Sequence, residues 1–108
     1  MLDFNLHKGY FENGILKEEG WKQNNTKDDY WIFYHTNGTP KEKGNFQNGQ
    51  KVSYWYTYHT NGKIQSEGNF VANKQQGLWK FYHDNGQIKK IGTFETGNQI
   101  ELWRSYHA

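Results

Sequence analysis

The chain has 108 residues, with 13 Lys and Arg against 11 Asp and Glu, a formal net charge of +2 and no cysteine. One domain is all that this length allows, so balanced a charge argues against nucleic-acid binding driven by electrostatics, and the missing thiols exclude disulfides and thiolate chemistry. Aromatic residues make up 19% of the chain within a hydrophobic total of only 33%, which is too ring-rich for disorder and too poor in aliphatics for a deep two-layer core.

The first residues, MLDFNLHKGYF, lack a basic segment followed by a long apolar run, so they do not read as a secretory signal. No run approaches membrane-spanning length, and the expectation is a soluble, cytoplasmic protein. From His7 onward a 24-residue period orders the sequence. The first unit, 7–30, is degenerate: His7 and Phe11 stand where later copies have Trp and His, while Tyr10, Asn13, Gly14 and Gly20 keep the register. Its end, KQNNTKDDY (Lys22–Tyr30), reads as a longer loop within the array.

Units 31–54, 55–78 and 79–102 then repeat W-x-x-Y-H-x-N-G with a later G-x-F, and residues 103–108 begin a partial copy. Trp31, Trp55, Trp79 and Trp103 recur at this period, as do Tyr34, Tyr58, Tyr82 and Tyr106, and His35, His59, His83 and His107. So do the pairs Asn37-Gly38, Asn61-Gly62 and Asn85-Gly86, together with Gly44, Gly68 and Gly92 and with Phe46, Phe70 and Phe94.

Asn-Gly between β-favouring runs predicts a two-residue type I′ turn, in which both central residues take positive φ. Counting outward from Asn37-Gly38 sets Thr36 against Thr39, His35 against Pro40, Phe33 against Glu42 and Trp31 against Gly44. Every Trp then faces a glycine, whose lost packing an overlying ring recovers. A second turn at Asn48-Gly49 pairs Gly44 with Ser53 and Glu42 with Trp55. The prediction is all-β: a single domain over 1–108 folded as an elongated antiparallel meander of β-hairpin repeats. It has about nine strands, a length of roughly 40 Å, and curvature from sheet twist.

Parity gives the meander two faces. One carries the Trp column, Phe33, Thr57 and Phe81, the His column, Ile64, Ile88, the glycines and the Phe column. The other carries the Tyr column with Ile32, Tyr56, Lys80 and Arg104 among Lys41, Lys43, Gln65, Glu67 and Lys89.

The stretches GLWKFYHDNGQIKKIGTFETG (Gly77–Gly97) and YWYTYHTNGKIQSEGNF (Tyr54–Phe70) resemble the MORN-repeat variant, in its bacterial, YwqK-type antitoxin-like form. The likeness covers about Tyr30 to His107 and, more weakly, Lys8 to Gly20. It implies a MORN-like array of hairpins used for binding, with no catalytic residue and no cofactor, and its antitoxin label implies a partner toxin. The G-x-W that opens the family's unit survives only at Gly77-Leu78-Trp79; Asp29, Ser53 and Glu101 stand at the matching places, so that glycine reads as dispensable.

The histidines do not read as metal ligands. Equivalent positions lie two strands apart, about 9.5–10 Å, whereas zinc holds its nitrogens at about 2.0–2.1 Å. The acidic residues form no column (Glu18, Glu42, Ser66 and Lys90 share one slot), and neither a nucleophile triad nor a phosphate-cradling loop is present, so the protein reads as non-enzymatic. The Trp column, Gly44, Gly68, Gly92 and the Asn-Gly pairs read as structural.

Tyr34, Tyr58, Tyr82 and Tyr106, with Ile32, Tyr56 and Lys80, form the candidate partner face, since tyrosine gives large contact area at modest entropy cost. The expected function is non-enzymatic binding of a protein partner, as a scaffold or an antitoxin-like neutraliser. The alternatives are peripheral binding to anionic phospholipid and a carbohydrate or choline-type ligand on the Trp face. Single-stranded nucleic acid ranks below them. Self-association through the aromatic face or a terminal edge strand at His107-Ala108 is also expected.

Overall fold

The computed structural model describes residues 3–107, which form nine antiparallel strands in one sheet, arranged in chain order. These are β1 (Phe4–Tyr10), β2 (Leu16–Gln23), β3 (Thr26–Tyr34), β4 (Pro40–Gln47), β5 (Gln50–Tyr58), β6 (Ile64–Val71), β7 (Lys74–Tyr82), β8 (Ile88–Glu95) and β9 (Asn98–Ser105). Among the described residues nothing forms a second layer, and the molecule measures 47 × 32 × 15 Å. The last residue of the expected edge, Ala108, lies outside the described residues.

The small thickness limits the twist. Neighbouring strands ordinarily rotate by roughly 20–25°, and eight such steps would turn the end strands well past a right angle. A slab 15 Å thick has no room for that. Flat sheets of many strands need side-chain ladders to hold them, and the Trp column is one.

Trp31 pairs with Gly44, Trp55 with Gly68 and Trp79 with Gly92, in the expected register. The indoles, however, lie on the opposite neighbour. A Cβ built on Gly20 would overlap the Trp31 ring, and the same holds for Gly44 with Trp55, Gly68 with Trp79 and Gly92 with Trp103. Each repeat's glycine is therefore the seat for the next repeat's Trp. The indole N–H donates to a backbone carbonyl ten residues back: Trp31 to Trp21, Trp55 to Asn45, Trp79 to Asn69 and Trp103 to Thr93, at 2.7–3.3 Å. Each of these carbonyls borders a shift in strand register.

Trp31, Trp55 and Trp79 are 0%, 1% and 3% exposed in a sheet one layer thick. Phe46, Phe70 and Phe94 fill the gaps edge-on, making a Trp–Phe zipper with ring centroids 5.0–6.2 Å apart from Trp31 to Trp103. Lysines close its outer side. The Lys51 ammonium lies 4.5 Å from the Trp55 ring centre, Lys27 5.1 Å from Trp31, and Lys90 4.9 Å from Phe81, which adds cation–π attraction to the cover of the stems.

The turns correct the expected hairpin in several places. At Asn37-Gly38 the loop has three residues, Thr36 to Gly38: Gly38 N–H donates to His35 O, and His35 N–H to Thr39 O. Only Gly38 takes positive φ, the pattern of a type I turn followed by a left-handed residue. Tyr34 consequently pairs with Pro40, and a bulge at Lys41 restores the register before Glu42 meets Phe33. The two one-residue departures cancel, so the Trp–Gly register is right although the assumed turn is not.

Ile64 and Ile88 pair with Tyr58 and Tyr82 and so share the Tyr face, not the Trp face as expected. Asn37 acts through its side chain: Oδ1 accepts from Thr39 N–H, and Nδ2 donates to Thr60 O of the next tip. Type I′ geometry belongs to the other connection, where Asn48 and Gly49 both have positive φ (51° and 81°), as do Ala72 and Asn73. Asn24-Asn25 makes the same two-residue turn, so Lys22–Tyr30 is not a longer loop but parts of β2 and β3.

Asn48-Gly49 does not fix the whole β4–β5 register either. A two-residue shift between Lys43 and Asn45 pairs Glu42 with Thr57, not with Trp55, and takes Gly44 out of register with Ser53. The position two residues before each Trp lies in this irregular stretch, with φ +63° at Asp29, +63° at Ser53 and +77° at Gly77. Glycine there relieves a left-handed conformation, so it is favoured and not merely dispensable; the side chain of Glu101 lies outside the description.

Candidate functional site

With the Trp face occupied by the zipper, the opposite face holds the candidate binding residues. Across it runs a line of directly paired side chains: Lys8, Glu19, Ile32, Lys43, Tyr56, Glu67, Lys80, Ile91 and Arg104. Ile32, Tyr56 and Lys80 are therefore alternate members of one cross-strand row, separated by Lys43 and Glu67. Tyr34, Tyr58 and Tyr82 stand two residues further along their strands, nearer the three-residue loops, beside Pro40, Ile64 and Ile88.

The Tyr column is held in place from below. Tyr34 Oη donates to Glu19 Oε2 at 2.5 Å, and Tyr82 Oη donates to Glu67 Oε2 at 2.5 Å. Lys43 occupies the equivalent place under Tyr58, with its ammonium 5.6 Å from the ring centre. The Tyr58 side chain beside it holds Lys43 above the ordinary lysine range. One column thus alternates carboxylate, ammonium and carboxylate against successive tyrosines. Tyr106 lies at the end of the column and is 46% exposed.

Three further residues belong to this face and escaped the sequence reading. Tyr30, Tyr54 and Leu78 are 42%, 38% and 53% exposed. Tyr54 Oη donates to Glu67 Oε1 at 2.8 Å, so Glu67 clamps tyrosines of two successive hairpins, β5–β6 and β7–β8. Their signal was present: each stands one residue before a Trp, at the same period and with the opposite parity. Tyr54, Tyr56 and Tyr58 form a contiguous aromatic patch on β5, with successive centroids 5.2 and 6.4 Å apart.

The histidines serve as links between hairpin tips. Nε2–H of His35 donates to Tyr58 O, His59 to Tyr82 O and His83 to Tyr106 O, each at 2.9 Å. A carbonyl acceptor fixes the proton on Nε2, so that nitrogen is committed to the fold.

Burial first, and the Glu19 and Glu67 carboxylates second, push the Tyr34 and Tyr82 phenols up to about 12 from the ordinary 10, and Tyr54 is raised by the same causes. The folded chain favours the protonated phenol. That stability is whole below about pH 10 and is lost as pH rises through about 12. A titration followed by phenolate absorbance is expected to show a late-ionising subset among the eight tyrosines, and Glu67→Gln to bring Tyr54 and Tyr82 earlier. All eight ionising together near pH 10 would contradict these clamps.

A sequence model described as the MORN repeat variant matches residues 5–20, 30–48, 51–72 and 75–96, well over half of the chain. The last three segments coincide with the hairpins β3–β4, β5–β6 and β7–β8. No curated protein and no solved structure matches the chain.

Proposed function

The chain belongs to the MORN repeat variant family of repeat scaffolds for binding, and from that premise we propose that it is a non-enzymatic scaffold whose tyrosine face binds a protein partner. The finer reading is an antitoxin-like neutraliser in the bacterial cytoplasm, acting by occupying its partner's surface. The observation that carries the proposal is the contrast between the faces. The first three indoles of the Trp column, Trp31, Trp55 and Trp79, are 0–3% exposed, spent on the fold itself. On the other face Tyr30, Tyr54 and Leu78 stay open around tyrosines already fixed by Glu19, Lys43 and Glu67. Aromatics held in place before contact lose little freedom on binding, which favours affinity.

The test is affinity capture from the source organism's lysate with the natural chain and with a Tyr34/Tyr58/Tyr82→Ala variant whose β-sheet circular dichroism is intact. One protein recovered in stoichiometric amount by the natural chain and lost by the variant is the expected outcome. Equal recovery by both chains, or none by either, overturns the assignment of the face.

A further inference from the structure

We propose that the tyrosine face takes a proline-rich segment in the polyproline II conformation, laid across the strands, with charges at every third residue in the order basic, acidic, basic. The inference rests on the tyrosine face being the binding face, and it names the chemistry of the partner.

Three observations converge on it. The first is pitch. Tyr34, Tyr58 and Tyr82 recur every second strand, a spacing of about 9.6 Å at the usual strand separation. A polyproline II helix repeats every three residues at about 3.1 Å each, or about 9.3 Å. An α-helix repeats its face every seven residues at about 10.5 Å, and drifts out of step about three times faster.

The second is straightness. A sheet with ordinary twist would fan its tyrosines around the axis, whereas a slab 15 Å thick keeps them in line for a stiff linear ligand. The third is charge. Glu19, Lys43 and Glu67 lie beside successive tyrosines at the same spacing, so an aromatic ring and one charge recur as a unit whose sign alternates. Proline rings stack on aromatic side chains, and the segment loses little entropy because it is already extended. The pattern of charges reads the same in both directions, so the segment can lie either way.

The experiment uses the whole chain and fluorescein-labelled synthetic peptides, read by anisotropy at low ionic strength. The probe is Pro-Pro-Arg-Pro-Pro-Glu-Pro-Pro-Arg-Pro-Pro. Its comparator exchanges every charge, and a third peptide is an alanine-rich helix with the same charges seven residues apart. The probe is expected to bind at least tenfold more tightly than either. Lys43→Gln, checked for unchanged unfolding, is expected to reduce its preference over the charge-exchanged peptide without removing it, because Glu19 and Glu67 still face the two arginines; an unchanged preference overturns the proposal. Equal affinities, tighter binding of the helix, or no binding by any peptide overturns the proposal. If lysate capture still depends on the tyrosines, only the ligand chemistry has failed; if capture shows no such dependence, the choice of face has failed as well.

Discussion

Gly44→Ala is expected to cost about 3 kcal/mol, the upper part of the range for overpacking, while Gly77→Ala costs about 1 kcal/mol, the ordinary cost of a left-handed non-glycine residue. The two glycines do different work. A methyl on Gly44 would enter the Trp55 indole, which is 1% exposed and pinned by its N–H to Asn45 and Val52 carbonyls. Nothing lies within 4 Å of a methyl on Gly77, whose φ is +77°. Urea unfolding midpoints separate the cases. Equal costs would mean that the indole does not rest on Gly44, and the proposed seat would be wrong.

Trp55→Ala is expected to cost about 3–5 kcal/mol, as for other buried aromatic truncations. The loss should also change the character of unfolding. Trp55 belongs to β5 and lies on Gly44 of β4, between Phe46 and Phe70. In an array where each repeat touches only its neighbours, stability is a sum of units and joints. Removing a central joint should let the halves unfold separately, so far-ultraviolet dichroism and Trp fluorescence no longer trace one curve. A single coincident transition in the variant would show that the joints couple over longer distances than the contacts suggest.

The repeat period, the alternation of faces and the Trp–Gly register were legible because they depend only on spacing, and a β-strand converts spacing into sidedness. The direction in which each indole leans was not legible. Opposed Cα positions leave it open whether the ring covers its own hairpin or the preceding one, and the register shifts that free the acceptor carbonyls decide it.

The turn type was misread for a related reason. Asn-Gly suits a type I′ turn, but at Asn37 the amide of the side chain has better partners in Thr39 and Thr60, and only the glycine takes positive φ. The candidate face was half legible. The Tyr column is periodic, but its clamps are Glu19, Lys43 and Glu67, a column whose letter changes at Lys43 and whose members meet their tyrosines fifteen residues away. Tyr30 and Tyr54 were hidden by standing beside the more conspicuous Trp.

The seat that each glycine offers to the following Trp makes the chain resemble a course of roof tiles, each overlapping the one laid before it. The overlaps at Gly44, Gly68 and Gly92 use the same parts: a glycine seat, an indole and a phenylalanine wedge. A gene that gains or loses one whole 24-residue period therefore joins tile to tile without opening a gap, while an insertion within a strand that is not a whole number of periods takes a ring off its seat. Recombination between neighbouring copies becomes a mild event for such a protein, and the length of its binding surface becomes a trait that can be adjusted in whole steps.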